Sequence, residues 1–351
     1  MAEFEQRVAN YVRTRSAVAT SSCTTALNLA VLMMDPRPGD EVLVPAFTWV
    51  ATPNAVELAG AKPVFVDIDL DTFNIDPAAA EEAITDRTVG MLPVHLFGLA
   101  APMQPLLAMA QSHGLWVIED AACALGTMYE DVHVGTLGDL GCFSFHPRKS
   151  ISTGEGGVII ARDEAPLERA RSLRNHGVEP DHEPETFGDL PDHPVVGFNY
   201  RMTDLQAAIG LVQMDRLEGI LAQRRQTAAT YDSLLADIAW LRRPPSAAGH
   251  SYQSYVCLVA SVDPSLRSLD KLHSQRGATM SYLERNGIST RPGTHAPVRM
   301  SYYRERYQLR TESFPNSMVA DQASLALPLF PGMDSHQIEA VASGLREAPV
   351  A

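Results

Sequence analysis

Lysine is scarce in this chain, and one lysine stands where it could do carbonyl chemistry. Among 28 Lys and Arg residues, Lys occurs only at Lys62, Lys149 and Lys271. Arg keeps its proton in proteins, whereas a lysine amine can lose it and then attack a carbonyl to form a Schiff base. Lys149 follows a short apolar stretch and precedes a glycine-rich loop at 153–157, where backbone can approach a ligand closely. The residues alone leave two interpretations equally open: a lysine that holds a carbonyl cofactor, or a surface lysine in a turn.

The segment around Lys149, SFHPRKSISTGEGG, resembles the cofactor-lysine segment of the DegT/DnrJ/EryC1/StrS family. These are pyridoxal-phosphate-dependent sugar aminotransferases of fold type I, and related runs extend from about Phe4 to about Pro331. The resemblance implies pyridoxal 5'-phosphate as cofactor and pyridoxamine 5'-phosphate as its amine form in the half-reaction. It also implies that Lys149 is the Schiff-base lysine and that Ser144 is a further hydroxyl for the cofactor phosphate.

Asp120 is the last residue of a predicted strand that ends in the run VIED, and an open sheet binds its ligand at such a strand end. A carboxylate beside a pyridine nitrogen keeps that nitrogen protonated, and the protonated ring is the electron sink of pyridoxal phosphate. The alternative is a helix N-cap ahead of Ala121, the commoner role of an acid at such a position. Together with Lys149 the cofactor interpretation is favoured. The resemblance implies that Asp120 pairs with the pyridinium nitrogen.

The run SSCTTAL places small hydroxyl residues at the start of a predicted helix. Free amides and the positive dipole end of a helix bind phosphate, and an ordinary Ser/Thr cap has the same geometry. In the resembling family this segment usually reads Ser-Gly-Thr, and here Cys23 stands in place of Gly. Because backbone amides of Cys23 and Thr24 still donate, we expect the phosphate site to be kept.

Two further positions concern the cofactor ring. Trp49 follows a predicted strand and, by resemblance, stacks on the ring, although most tryptophans at such positions belong to a core; such stacking contributes about 0.5–1.5 kcal/mol. The family usually has Gln or His three residues after the aspartate, at the cofactor's phenolic oxygen, and here that position is Cys123. A thiol is a weak hydrogen-bond partner, so we expect altered cofactor electronics.

Polar residues in two loops are candidates for phosphate and substrate contacts. Asn199 follows an irregular loop and could be a simple turn residue; its family counterpart reaches the phosphate of the partner subunit, which implies a homodimer with shared sites. Arg201 lies two residues later and is a substrate candidate. Arg291 and His295 belong to the run TRPGTH, which resembles a loop of enzymes that aminate 4-keto-6-deoxy nucleotide sugars. An edge turn with a solvated Arg explains that run equally well.

The spacing of apolar residues predicts an α/β fold with a mostly parallel sheet and helices on both faces. Short strands and helices alternate from residue 41 to 119, and ligands bind such sheets at the carboxyl ends of the strands. A second part of the pattern predicts a polar loop at 176–199, a long helix at 202–235 and a smaller C-terminal α+β unit. We expect a large cofactor-binding domain at 1–235 and a small domain at 236–351. Further helices are predicted at 3–15, 24–34, 78–84, 102–113, 166–173, 270–286 and 335–345, and strands at 41–44, 62–67, 88–94, 115–119, 158–161 and 252–259.

Composition excludes several partners and compartments. The formal net charge of −14 argues against nucleic acid and anionic membranes. No apolar run approaches the roughly twenty residues of a membrane span, and the first residues do not resemble a signal peptide. Four cysteines without metal-ligand spacing indicate reduced thiols in a cytoplasmic protein. Family members usually carry a segment ahead of the first helix, so we expect some of its substrate or dimer contacts to be missing.

These features together predict a homodimeric aminotransferase. It would transfer an amino group from L-glutamate to a ketone of a nucleotide-linked sugar, with a 4-amino-4,6-dideoxy sugar favoured. A cyclitol or a precursor of an aromatic amine is an alternative substrate, whereas Lys149 argues against the dehydratases of the family, which have His there. A catalytically silent binding protein is disfavoured by intact Lys149 and Asp120. A nicotinamide dehydrogenase is disfavoured because the Gly-x-Gly-x-x-Gly turn is missing.

Overall fold

The computed structural model describes residues 1–179 and 190–349. Its α-helices, in chain order, are α1 Ala2–Val12, α2 Cys23–Met33, α3 Ala51–Leu58, α4 Pro77–Ala83, α5 Met103–His113, α6 Ala165–Arg174, α7 Asp204–Leu234, α8 Leu269–Arg285, α9 Ser301–Arg306, α10 Pro315–Ala323 and α11 Ser335–Glu347. Its strands are β1 Ser16–Thr20, β2 Glu41–Pro45, β3 Lys62–Val66, β4 Thr88–Met91, β5 Trp116–Asp120, β6 Met128–Tyr129, β7 Val132–His133, β8 Leu140–Ser144, β9 Gly157–Ala161, β10 Leu241–Arg242, β11 Tyr255–Val259 and β12 Ser324–Leu327.

A seven-stranded sheet in the order β1-β9-β8-β5-β4-β2-β3 forms the centre of the larger part of the molecule. The pairs from β8 to β3 are all parallel, whereas β9 runs antiparallel to both of its neighbours, β8 and β1. Antiparallel strands need no crossover helix, so the chain passes from β8 to β9 through residues 145–156 alone. This connection carries Lys149 at the carboxyl end of β8, and the prediction of a mostly parallel sheet is confirmed.

Both faces of this sheet are covered, because neighbouring residues of one strand belong to different apolar clusters. In β1, Val18 packs with α2 and α6, while Ala17 and Ala19 pack with α1 and α7. Alternate strand residues point to opposite faces, so this division places helices on each side. The helices therefore bury the sheet, and its ligand-binding positions are confined to the strand ends.

Helix α7 joins the large sheet to a second, antiparallel sheet of order β10-β11-β12. Near its start a capping box of Thr203 and Gln206 satisfies the first amides of the helix. Leu217 packs with the cluster around α1, whereas Tyr231 lies against Tyr255 of β11 and donates to the carbonyl of Pro328 at 2.8 Å. The long helix predicted at 202–235 is thus present without interruption.

Several boundaries differ from the sequence-based expectations. Strand β1 was not predicted, and it forms because Ser16–Thr20 pairs along its whole length with β9. Strand β11 begins at Tyr255 rather than at residue 252, because Tyr252 has a φ of 46°, outside the strand region. The segment that follows the run TRPGTH contains one 3₁₀ turn, Pro297–Arg299.

The polar loop expected at 176–199 falls partly outside the described residues, which omit 180–189. The described portions of that loop contain neither a helix nor a strand. No helix within residues 1–179 and 190–349 has the length and apolar character required to cross a membrane.

Candidate active site

A cavity of about 250 Å³ opens at the carboxyl ends of β2, β5 and β8 and extends to the start of α2. It gathers residues that are far apart in sequence, from Ser22 to Thr294. Eight of the predicted site residues line it: Cys23, Thr24, Trp49, Asp120, Cys123, Ser144, Lys149 and Arg291. The other three, Asn199, Arg201 and His295, are not among its lining residues.

Lys149 is the one lysine of the three that reaches this cavity. Its Nζ lies 3.0 Å from the Sγ of Cys123, and its amide donates to the carbonyl of His146 at 2.9 Å. Lys62 instead forms an ion pair with Glu41 at 3.0 Å, and Lys271 is exposed on α8. The lysine with the glycine-rich neighbour is therefore the only one placed for carbonyl chemistry.

The surroundings of the Lys149 amine favour its protonated form. Burial lowers its pKa, but Cys123, whose Sγ lies beside Nζ, and then Cys23 and the carboxylate of Asp120 together raise it by more, so the pKa lies above its ordinary value. The neutral amine needed for attack on a carbonyl therefore requires that a proton be passed on as the carbonyl ligand arrives.

Asp120 ends β5 with its carboxylate turned into the cavity, and it is only 4% exposed. The hydroxyl of Thr52 donates to its Oδ2 at 2.8 Å and the amide of Ala122 to its Oδ1 at 3.2 Å. Burial raises the pKa of this carboxyl, while those two donors and Lys149 oppose the rise. No helix follows Asp120 directly, so it does not cap one, and a buried acid at this place suits a cationic ring nitrogen.

Sequence reasoning missed the partners that fix Asp120. Thr52 lies in the first turn of α3, which the chain reaches long before β5, so nothing local links the two. The hydroxyl of Thr48 lies 3.1 Å from that of Thr52 and extends the hydrogen-bonded chain. Only the tertiary fold brings the hydroxyl of Thr52 to the carboxylate at the end of β5.

The residue before Asp120 anchors the strand from the opposite face. Glu119 is fully buried and accepts from the amides of Gly135, Leu137 and Gly138, each at 2.7 Å. His95 Nε2 lies 2.8 Å from the same carboxylate, and its Nδ1 accepts from the amide of Ala101, so the proton sits on Nε2. This fully paired network holds the end of β5 rigidly beneath the cavity.

The start of α2 offers an anion site at the other end of the cavity. Ser22 is the N-cap of the helix and forms a capping box with Thr25, which leaves the amides of Cys23 and Thr24 at the free helix end. A Cβ on Gly157 would lie 2.4 Å from the carbonyl carbon of Ser22 and 2.5 Å from the nitrogen of Cys23. Glycine at 157 therefore permits the close approach of β9 that shapes this end.

Burial disfavours the thiolate form of two cysteines in this region. Burial raises the pKa of Cys23 well above its ordinary value, and burial does the same for Cys142. Cys23 places its backbone amide and a small side chain at this end of the cavity, and its role in binding phosphate remains a prediction.

Aromatic and polar residues surround the mouth of the cavity. Trp49 is 56% exposed, so its ring is not a core residue, and His295 lies beside it with ring centroids 5.7 Å apart. Arg291 donates from Nη2 to the hydroxyl of Ser254 at 3.3 Å. His295 thus contacts the site through Trp49, although it does not line the cavity.

Asn199 and Arg201 lie outside the cavity, on the exposed side of the strand-like segment that closes the polar loop. Arg201 donates to the side-chain oxygen of Asn175 at 2.6 Å, and Asn199 forms a backbone bridge with Asn175. Arg201 also bridges Thr20, two residues ahead of the N-cap of α2. Within one chain neither side chain is brought to the predicted ligand.

The donor set suits pyridoxal phosphate. It combines an amine, a buried carboxylate, a free helix N-terminus and an exposed indole around one cavity. The described residues contain no group of three or more His, Cys, Asp or Glu that could hold a metal ion.

Comparison with known proteins agrees with this arrangement. A model of the DegT/DnrJ/EryC1/StrS aminotransferase family matches residues 1–346. The chain belongs to this family. As a DegT/DnrJ/EryC1/StrS protein it is a pyridoxal-phosphate-dependent aminotransferase, and its large sheet is that of fold type I.

Individual relatives cover almost the whole chain. GDP-perosamine synthase of Caulobacter vibrioides is 38% identical over 351 residues, which are 99% of this chain and 90% of the relative. The structure of DesV of S. venezuelae, in complex with a ketimine intermediate, has a TM-score of 0.87 and 31% identity, covering 98% of this chain and 88% of DesV. The PLP form of the putative sugar aminotransferase Spr1654 of Streptococcus pneumoniae has a TM-score of 0.89 and 26% identity, covering 99% and 90%.

Proposed function

We propose that this aminotransferase converts a nucleotide-linked keto sugar to an amino sugar, with L-glutamate as the amino donor. The observation that carries the proposal is the convergence of Lys149 and Asp120 on one cavity in a chain of this family. In balanced form, the ketone oxygen of the sugar and the amino group of the donor exchange places, giving the amino sugar and 2-oxoglutarate. The relative that makes GDP-perosamine supports a nucleotide sugar as acceptor, and we favour a 4-amino-4,6-dideoxy product.

Seven of the residues that line the cavity have a role in this proposal. Pyridoxal phosphate, when bound, supplies an electron sink that carries the amino group between the two substrates. The Nζ of Lys149 would hold the cofactor carbonyl carbon and, when released, take and return the proton at the substrate carbon. Asp120 would keep the proton on the ring nitrogen, and Trp49 would stack on the ring. The amides of Cys23 and Thr24 and the hydroxyl of Ser144 would bind the phosphate, with Cys123 near Lys149 in the place of the usual Gln or His.

We also propose that the enzyme works as a homodimer. Three apolar side chains on consecutive turns of α7 are largely exposed: Leu205 at 80%, Ile209 at 51% and Val212 at 62%. Residues at this spacing lie on one helix face, and such a face on an otherwise acidic protein is suited to a second copy. The face starts at Leu205, six residues after Asn199, so a partner seated there would receive that exposed amide at its phosphate site.

Two experiments test the proposal. Enzyme loaded with pyridoxamine phosphate is incubated with a panel of nucleotide keto sugars, and the substrate is the sugar that restores the aldehyde absorbance. If only a keto cyclitol restores the aldehyde absorbance, the acceptor is the cyclitol and not a nucleotide sugar. Borohydride treatment of the aldehyde form should label Lys149; label on Lys62 or Lys271 would overturn the assignment of the lysine.

The shared site is tested by mixing subunits. Lys149→Ala and Asn199→Ala proteins are each expected to be impaired, but a heterodimer with shared sites contains one site with neither lesion. Activity should therefore recover after subunit exchange, which is followed with differently tagged chains. Exchange without recovery would show that Asn199 does not act across the interface.

A further inference from the structure

A second cavity adjoins the first, and all the charged residues in its lining are cationic. Its volume is about 410 Å³, and it shares Arg148, Lys149 and Arg291 with the cavity described above, while Arg224 of α7 is its own. The lining contains these four cations and, within the described residues, no carboxylate. In a chain of net charge −14, four cations without a neutralising acid are an arrangement that an anionic ligand would complete.

Arg224 is the buried member of this cluster, at 6% exposure. Its Nη1 donates to the carbonyls of Tyr252, Gln253 and Leu329, but its buried Nε has no partner among the described residues. The hydroxyl of Thr290, on the same cavity wall, is likewise buried without a partner. Unpaired buried donors are costly, and both of these belong to residues that line this cavity.

The charges around the cavity act in the same direction. Burial lowers the pKa of Arg224 to about 10, because no carboxylate offsets the cost of its charge. Burial also lowers the pKa of Arg291, and the like charge of Arg148 lowers it further. An oxyanion between these guanidinium groups would relieve the repulsion between them and pair with donors that face the cavity.

We propose that Arg224, Arg291 and Arg148 form an oxyanion site that binds the carboxylate of the amino donor. The inference rests on the proposed function, since it assigns the site for one of its two substrates. Carboxylates and phosphates share the chemistry that this site recognises, so the phosphate of a nucleotide sugar is the competing source. The position favours the donor: Lys149 lies on the walls of both cavities, and the amino group of a donor anchored here must reach the atom that Lys149 holds.

The test measures binding of glutarate, a dicarboxylate without an amine, to the enzyme with its cofactor bound. Isothermal calorimetry is expected to give a dissociation constant at least about 10-fold weaker for Arg224→Met and for Arg291→Met than for the wild type. Arg291 is at the exposed rim, so its substitution reports on the site even where Arg224→Met fails to fold. Arg291→Lys should restore part of the loss, because it restores the charge but not the bidentate geometry.

Arg225 is the matched control, one residue further along α7. It donates to the backbone carbonyls of His250 and Gly126 but does not line the cavity. Arg225→Met therefore removes a comparable clamp on the backbone and should leave glutarate binding unchanged. Equal loss in Arg225→Met and Arg224→Met would show that Arg224 acts only on the backbone, and the inference would fall.

A nucleoside diphosphate in place of glutarate distinguishes the two sources. If the Met substitutions weaken the nucleotide and leave glutarate unchanged, or weaken neither, the assignment to the donor is wrong. The pyridoxamine-loaded enzyme needs no donor, so its reaction with keto sugars tests the proposed function separately. Failure of that reaction with arginine-dependent glutarate binding intact would overturn the function and leave the carboxylate site standing.

Discussion

Replacing Thr52 by Val removes one hydroxyl from the cavity and leaves the shape of the side chain nearly unchanged. That hydroxyl is one of two hydrogen-bond donors to Asp120, at 2.8 Å from Oδ2. Its bond favours the carboxylate over the carboxylic acid, so its loss must raise the pKa of Asp120 beyond the rise that burial already causes. Hydrogen bonds to charged groups contribute about 1.5–3 kcal/mol, which corresponds to roughly 10-fold to 100-fold in an equilibrium.

The consequence appears in the pH dependence of the reaction. A protonated Asp120 cannot hold the cation of the cofactor ring, so the acid limb of the kcat/KM profile should move to higher pH in Thr52→Val. At a pH on that limb kcat/KM should fall by roughly 10-fold to 100-fold, whereas kcat/KM on the plateau should fall less. Thermal unfolding of both proteins controls for the fold.

Thr48→Val provides the comparison, because Thr48 contacts the hydroxyl of Thr52 at 3.1 Å and makes no bond to Asp120. It should move the acid limb in the same direction by a smaller amount. An unmoved limb in a folded Thr52→Val protein, or equal shifts in the two variants, would refute the view that Thr52 sets the charge of Asp120.

Three further changes probe other parts of the molecule. Asp120→Asn keeps the shape but removes the charge, so turnover should fall by orders of magnitude while the unfolding temperature is kept; near-normal turnover would contradict the ring-nitrogen role. Gly157→Ala forces a Cβ against the Ser22–Cys23 peptide. Overpacking should lower the free energy of unfolding by about 1–3 kcal/mol, and titration with the cofactor should show at least about 10-fold weaker binding. Unchanged affinity would contradict a phosphate site at the start of α2. Burial opposes the charge of Glu41, but Thr85, Arg87 and Lys62 outweigh it and lower its pKa from 4.5 to about 2, so its stabilisation is present above pH 4.5 and is lost as the pH falls towards 2. Urea unfolding should show this loss, about 3 kcal/mol, in the wild type and not in Glu41→Gln.

The sequence was informative wherever chemistry and local pattern coincide. Lys149 and Asp120 could be recognised because each follows a buried strand, and the ends of parallel strands meet at one edge of a sheet. Their meeting in one cavity agrees with that prediction. The roles of all eleven site residues, and the division at residue 235, remain predictions.

The parts that the sequence did not reveal depend on contacts between distant elements. Thr52 and Arg224 look like ordinary helix residues, and their hydrogen-bond partners, such as Asp120 and the carbonyl of Gln253, come from distant parts of the chain. Strand β1 consists of small residues, so its identity as a strand follows from pairing with β9 rather than from its own pattern. Helix α10 was missed because its short apolar stretch lacks a clear helical repeat, although Pro315 begins it.

The adjacent acids Glu119 and Asp120 also fix the register of β5 in the sheet. A slip of the strand by one residue would exchange the faces of Glu119 and Asp120. Glu119 would lose its three backbone amides and His95, and the shorter side chain of Asp120 would be turned towards the donors that Glu119 had left. Both carboxylates would then be poorly paired at buried positions, which is strongly unfavourable. The register that creates the active site is therefore also the register that the buried charges select, so slipped chains should be too unstable to accumulate as inactive enzyme.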